Sequence, residues 1–399
     1  MARWLLPENI SDVLPQEARV VEALRRSLLD LYRSYGYELV IPPLLEHLES
    51  LLTGSGHDLD LTTLKLVDQL SGRTLGLRAD TTPQVARIDS HILNRSGVAR
   101  LCYAGSTLHA RPMHPLASRE PLQIGAEIYG DADFGADQEI LDLAVRSART
   151  IANTKVQIDL GHTGVVRALL GDLLRASAGV EDVLAALTGK DPAALHAASA
   201  SLAPQTRRAL HSLMELNGGI EVLEQARRQL PGSADLQAAL EELARLAQGC
   251  RADEISVDLA DLHGFRYHTG VTFAAYVAGL SGPLLRGGRY DDIGQAFGRA
   301  RPATGFSLLD LREAAQLVPA TLVRAVYAPR VVDARLDELV DALRERGEVV
   351  VRGAMLGDLG VALTVDREVV RSGKTWVVRD LPGNRSVTMN QGDENGNGA

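Results

Sequence analysis

A chain of 399 residues, 45% of them hydrophobic, has an ordinary globular composition and is long enough for two or three domains. Its formal net charge of -9 at pH 7 argues against a general polyanion-binding surface and leaves only local basic patches for nucleic acid. Two widely separated cysteines, Cys102 and Cys250, make neither a CxxC site nor a disulfide framework, and no apolar run reaches the roughly 18 residues of a membrane span. The expectation is a soluble, cytoplasmic chain with no membrane partner.

Near the start, Val20, Val21, Leu24, Leu28, Leu29 and Leu31 or Tyr32 recur at helical spacing. They predict an amphipathic helix over residues 16–35, with Gly36 as its C-cap. Residues 37–41 read as a strand stopped by Pro42 and Pro43, residues 74–78 and 101–104 as short strands, and 83–95 and 136–153 as helices. The stretch QIGAEIYG at 123–130 alternates as a half-buried strand does, placing Gln123 and Glu127 together on its polar face. The segment before it, STLHARPMHPLASREPL, carries prolines and histidines and reads as a loop.

From about 164 to 250 the composition shifts to Ala, Leu and Arg with helix caps and short breaks, which predicts a helical insertion. Strand character returns at 254–258, 269–277 and 305–309, with turns expected at Gly282-Pro283 and Gly287-Gly288. Residues 320–386 predict a small α/β domain, a strand followed by a helix at 333–346 and further short strands. The polar, Gly- and Asn-rich residues 387–399 predict a disordered tail.

On pattern alone several residues favour plain structural roles. His109 and His114 lack partners at metal-ligand spacing and read as solvated loop histidines. Gly287-Gly288-Arg289 lacks the GxxxxGK[ST] pattern of a phosphate cradle, and Asp291-Asp292 reads as surface carboxylates. No metal or other cofactor is expected.

Seven stretches, in order, resemble the catalytic core of a class II aminoacyl-tRNA synthetase, the histidyl enzyme in particular: PENISDVLP (7–15), GYELVIPPLLE (36–46), LRADTTPQVAR (77–87), RLCYAG running to GAEIYG (100–130), HGFRYHTG (263–270), RGGRYDD (286–292) and ATGFSLLDLR (303–312). The resemblance implies an α+β fold, an antiparallel sheet flanked by helices. This core would span 1–319, be interrupted by the helical insertion at about 164–250, and usually form a homodimer. It also implies a histidine pocket of Asp80, Thr82, Gln123, Glu127, Tyr267 and Tyr290.

The same resemblance exposes losses. Where the synthetase has a Phe-Arg pair gripping carboxylate and α-phosphate, this chain has Leu108-His109, followed by Arg111 and a proline-rich loop. A second arginine of the histidyl enzyme is replaced by His263, while the third-motif arginine is kept as Arg312. Histidine lacks the bidentate fork of arginine and is mostly neutral near pH 7, so two such losses leave little activation chemistry. A retained pocket without catalytic groups is the pattern of the synthetase-like regulatory subunits of ATP phosphoribosyltransferase, which ARPMHPLASREPLQIGAEIYG and LRADTTPQVARI also closely resemble. That family implies a non-catalytic subunit in a hetero-oligomer with the short-form catalytic subunit, required for the first step of histidine synthesis. L-histidine would be its negative effector, and no tRNA binding is expected. The alternatives are a divergent histidyl-tRNA synthetase, which would catalyse histidine-dependent ATP-pyrophosphate exchange, and a synthetase-like RNA-binding accessory protein.

Overall fold

The computed structural model describes residues 5–53, 57–171, 174, 179–319, 323–353 and 363–381. The chain divides into two compact units, Met1–Val318 and Pro319–Ala399. The tail expected to be disordered, 387–399, lies outside the described residues.

Numbered along the first unit, the strands are β1 (Glu38–Leu39), β2 (Leu45–His47), β3 (Leu64–Val67), β4 (Thr74–Leu77), β5 (Ala99–Ser106) and β6 (Leu122–Tyr129). They continue with β7 (Val156–His162), β8 (Asn217–Gly218), β9 (Glu254–Asp258), β10 (Val271–Val277), β11 (Leu285–Arg289) and β12 (Ala303–Leu308). Nine of them form one sheet in the order β1-β5-β6-β12-β11-β10-β7-β9-β8, and β2-β4-β3 form a small separate sheet. The middle of the large sheet, from β5 to β7, is antiparallel throughout, as expected, and β1 joins β5 and β9 joins β7 in parallel at its flanks.

Two helices cover one face. The helix Pro15–Ser34 starts with Pro at its first turn and buries Val21, Leu24, Leu28 and Tyr32, one residue per turn on a single side. Gly36, at φ 85°, ends it: Gly36 N donates to Arg33 O and Tyr37 N to Tyr32 O, bonds only a left-handed residue can set up cheaply. The helix Phe134–Ile151 is capped by Asp133, whose carboxylate accepts from Gly135 N at 2.8 Å. It buries Ile140, Leu141, Leu143, Ala144 and Ile151, and each large aliphatic contributes about 1.5–3 kcal/mol by leaving water.

Some expectations need correcting. The pair Gly287-Gly288 is no turn; it lies inside β11, where a Cβ at Gly287 would sit 2.5 Å from Gly305 O, so glycine is what lets β11 and β12 pack. The strand expected at 37–41 shortens to β1, because two prolines follow and only Val40 N reaches back, donating to Cys102 O at 2.8 Å. The helix expected at 83–95 is α-helical over Thr82–Arg87 and then widens to a π-helix over Ile88–Leu93. Strand β6 is not half-buried: it runs between β5 and β12 with Gln123 only 8% and Glu127 only 1% exposed.

The segment after β7 is built of helices at Thr163–Leu170, Val180–Thr188, Pro192–Ala198, Pro204–Glu215, Val222–Gln229 and Ala234–Gly249, interrupted by the two-residue β8. Their apolar stripes, including Val183, Leu187, Leu210, Leu213, Leu236, Leu240 and Leu243, join the core of the unit.

The second unit has β13 (Val323–Pro329), β14 (Val350–Gly353), β15 (Leu363–Ser372) and β16 (Thr375–Asp380), in the order β14-β13-β15-β16. Its helix Ala334–Glu345, capped by Asp333, buries Leu336, Val340 and Leu343 against Val326, Ala328, Val350 and Val369.

Candidate functional site

The sheet face opposite the long helices floors a cleft of about 680 Å³, large enough for an amino acid. All six residues expected to form a pocket line it: Asp80, Thr82, Gln123, Glu127, Tyr267 and Tyr290. Register explains how. Glu127 pairs with Gly305 across β6 and β12, and Gly305 with Gly288 across β12 and β11, so these positions form one row facing the same side. A Cβ at Gly305 would collide with the Glu127 carboxylate, so glycine there makes room for it.

At one end Gln123 clamps the Asp80–Thr81 segment: Nε2 donates to Asp80 Oδ1 at 2.8 Å and Oε1 accepts from Thr81 N at 2.9 Å. Asp80 Oδ1 also accepts from Thr82 N at 3.2 Å, which fixes the start of the helix Thr82–Arg87. At the centre Glu127 Oε1 accepts from Thr82 Oγ1 and Tyr103 OH, each at 3.3 Å, and Oε2 accepts from Tyr290 OH. Burial pushes the Glu127 carboxyl up to about 8, the neighbouring Asp80 adds to the rise, and the hydroxyl donors hold it back. Tyr267 stacks on Tyr290 with ring centroids 4.8 Å apart, and its buried hydroxyl has no hydrogen-bond partner among the described residues.

Such a site combines two acid side chains, aromatic walls and an unanswered hydroxyl. It suits a small ligand with a cationic nitrogen and a flat polar ring.

Several residues in and around the cleft had no signal in the pattern. Tyr103 lies opposite Gly125 on β5, and its hydroxyl links Glu127 to Ser307 Oγ at 2.6 Å. The facing glycine is the one hint, since a Cβ at Gly125 would meet that phenol. Glu181, Leu184, Ala185 and Thr188 reach the cleft from the helix Val180–Thr188, so the insertion supplies one wall.

The positions of the lost arginines lie differently from the expectation for solvated histidines. His109 is buried at 9% exposure; its Nε2 donates to Ala79 O at 3.0 Å, and burial lowers its basicity, so it brings a neutral ring to the cleft. The proline-rich loop around it is ordered by the N-terminal segment: Asn9 Nδ2 donates to Pro115 O at 3.0 Å and to Ala117 O at 3.1 Å, and Arg119 N donates to Asn9 O. His263 points away to solvent and pairs with Asp261 at 2.6 Å. Arg312 is spent on Ser11 O, Ser11 Oγ and Glu120 O and does not line the cleft. Asp291 is half-buried and accepts from Ala303 N at 2.9 Å, so it braces the end of β12 where a plain surface carboxylate was expected.

The sheet order, helical insertion and amino-acid-sized cleft define a class II synthetase-like chain of the histidyl type. The family model described as "Histidyl-tRNA synthetase" matches residues 9–313, and "ATP phosphoribosyltransferase subunit HisZ C-terminal domain" matches residues 323–379. The ATP phosphoribosyltransferase regulatory subunit of Ralstonia nicotianae is 54% identical over 95% of this chain and 98% of its own length; that of Cupriavidus pinatubonensis is 56% identical over 94% and 98%. A solved structure from Bacillus halodurans, described as an ATP phosphoribosyltransferase regulatory subunit/histidyl-tRNA synthetase, superposes with TM-score 0.77 at 25% identity, covering 92% of this chain and 98% of that one. Histidyl-tRNA synthetase of a Nostoc species shares the fold at TM-score 0.74 and 17% identity, covering 93% and 92%. The chain belongs to the family of ATP phosphoribosyltransferase regulatory subunits. Its second unit carries the match to that family's C-terminal domain.

Proposed function

We propose that this chain is a non-catalytic, activating subunit that joins the short-form catalytic subunit of ATP phosphoribosyltransferase in a cytoplasmic hetero-oligomer and senses L-histidine in the cleft as negative effector. The observation that carries the reading is a contrast within one site. The groups suited to an amino acid's cation, Asp80, Gln123, Thr82 and Glu127, are assembled and hydrogen-bonded, whereas His109 is a buried neutral ring and His263 faces away. Without a bidentate cation at either place, adenylate formation loses its charge stabilisation, and occupancy of the cleft becomes a signal. A ligand moves a two-state equilibrium only by its differential affinity, so histidine would hold the assembly in the less active state.

A homodimer fits the exposed apolar side chains Leu39, Ile41, Leu45, Leu66 and Val67 around β1 to β3, which a second copy would cover. Acidic residues of the second unit, Asp333, Asp337 and Asp341 among them, give a phosphate backbone little purchase, so no tRNA binding is proposed.

Light scattering on this chain mixed with the short-form catalytic chain tests the assembly, and ATP-pyrophosphate exchange with histidine tests the rival enzyme. A mixed complex without exchange supports the proposal; exchange by this chain alone contradicts it.

A further inference from the structure

We propose that Arg286 is the residue of this cleft that takes the carboxylate of a bound α-amino acid, and so selects the intact amino acid over its decarboxylated amine. The assignment rests on the reading that the cleft binds histidine.

The argument starts from charge. An α-amino acid in a buried cleft brings an anion as well as a cation, and an unpaired buried carboxylate is costly. Where the resemblance places the synthetase's two arginines this chain has His109 and His263, and the acid Asp80 on the floor repels an anion. Among the described residues lining the cleft, the histidines His109 and His268 are held neutral by burial, His268 down to about 4. Arg266 is paired with Glu181. Arg286 remains: it lines the cleft, is half-buried on β11, and among the described residues has no hydrogen-bond or ion-pair partner, although its charge is felt by Asp261 and His268.

Register places it well. Arg286 pairs with Ser307 and Ser307 with Gly125, so the three form a row beside the row of Glu127, Gly305 and Gly288. Two strand spacings, about 10 Å, separate β6 from β11. The Tyr103 phenol packs over Gly125, and Gly305 and Ser307 line the same cleft as Glu127 and Arg286, so the cleft runs from the acid cluster to the guanidinium. A ligand whose cation sits among Asp80, Thr82 and Glu127 can therefore present its carboxylate to the fork of Arg286, which binds carboxylates in a bidentate way.

The test is calorimetric titration of the full chain with L-histidine and with histamine, which keeps the imidazole and the ammonium but lacks the carboxylate. The wild-type chain should prefer histidine. Arg286→Gln should weaken histidine by about tenfold to a hundredfold while moving histamine by no more than about threefold. Arg286→Lys, which keeps the charge without the fork, should retain part of the preference and serves if the glutamine variant does not fold. Equal losses for both ligands, or an unchanged preference in either variant, would overturn the assignment and leave the cleft reading standing. Binding of neither ligand by the wild-type chain would overturn that reading and the assignment with it.

Discussion

Tyr290 donates its phenol proton to the carboxylate of Glu127 inside the sheet, where the two residues are 2% and 1% exposed. Even with that donor, burial holds the carboxyl up to about 8. Between roughly pH 4.5 and 8 the folded, empty chain thus keeps a proton that the unfolded chain has released. The folded state binds more protons in that window, so this group makes stability fall as pH rises through it, by on the order of a few kcal/mol in all. Urea unfolding of wild type and Glu127→Gln at about pH 5.5 and 8.5 should show a loss with rising pH in the wild type that the variant lacks. Parallel pH profiles would contradict it.

Removing either carboxylate should weaken the ligand. Asp80→Ala or Glu127→Ala is expected to weaken histidine binding by about 1.5–3 kcal/mol, the worth of a hydrogen bond to a charged group. Calorimetry reads this directly, and unchanged affinity in both variants would remove the cleft from the account.

Gly305 leaves space that Glu127 fills. A methyl group there meets the Glu127 carboxylate and lies 2.8 Å from Ala126 O, so Gly305→Ala must displace the acid or the strand. The expected cost is about 1–3 kcal/mol of stability together with loss of histidine binding. A variant as stable as wild type that still binds would show that the site tolerates overpacking.

Away from the cleft, Arg301 and Asp89 form an ion pair at 2.9 Å with exposures of 6% and 0%. Arg301 also donates to the carbonyls of Arg95, Gly97 and Tyr129, tying the π-helix to β6. Asp89→Ala leaves a buried guanidinium unpaired and should cost about 3–5 kcal/mol in urea unfolding. A loss below about 1 kcal/mol would mean that water reaches the arginine.

What the sequence made legible follows from period and punctuation. The helix ending at Gly36 was readable because its apolar residues recur once per turn and its stop needs a positive φ that glycine supplies. Strand β7, by contrast, went unread: Val156, Ile158 and Leu160 alternate, but the short run sits between two helices and both faces are largely covered. The glycines of β11 looked like a turn because nothing local reports that a neighbouring strand occupies the place of their side chains. Within the cleft, Gln123 and Glu127 could be paired by two-residue alternation, yet pattern alone would have sent them to solvent. Arg286 and Tyr103 carried no local mark, since their places depend on cross-strand register that only the folded sheet sets.

The most direct measurement is the rate of phosphoribosyl-ATP formation from ATP and phosphoribosyl pyrophosphate by the short-form catalytic chain, with and without this chain, across a histidine titration. The account predicts strong activation on mixing that histidine then suppresses. No activation and no complex, or activation indifferent to histidine at concentrations that fill the cleft, would contradict it.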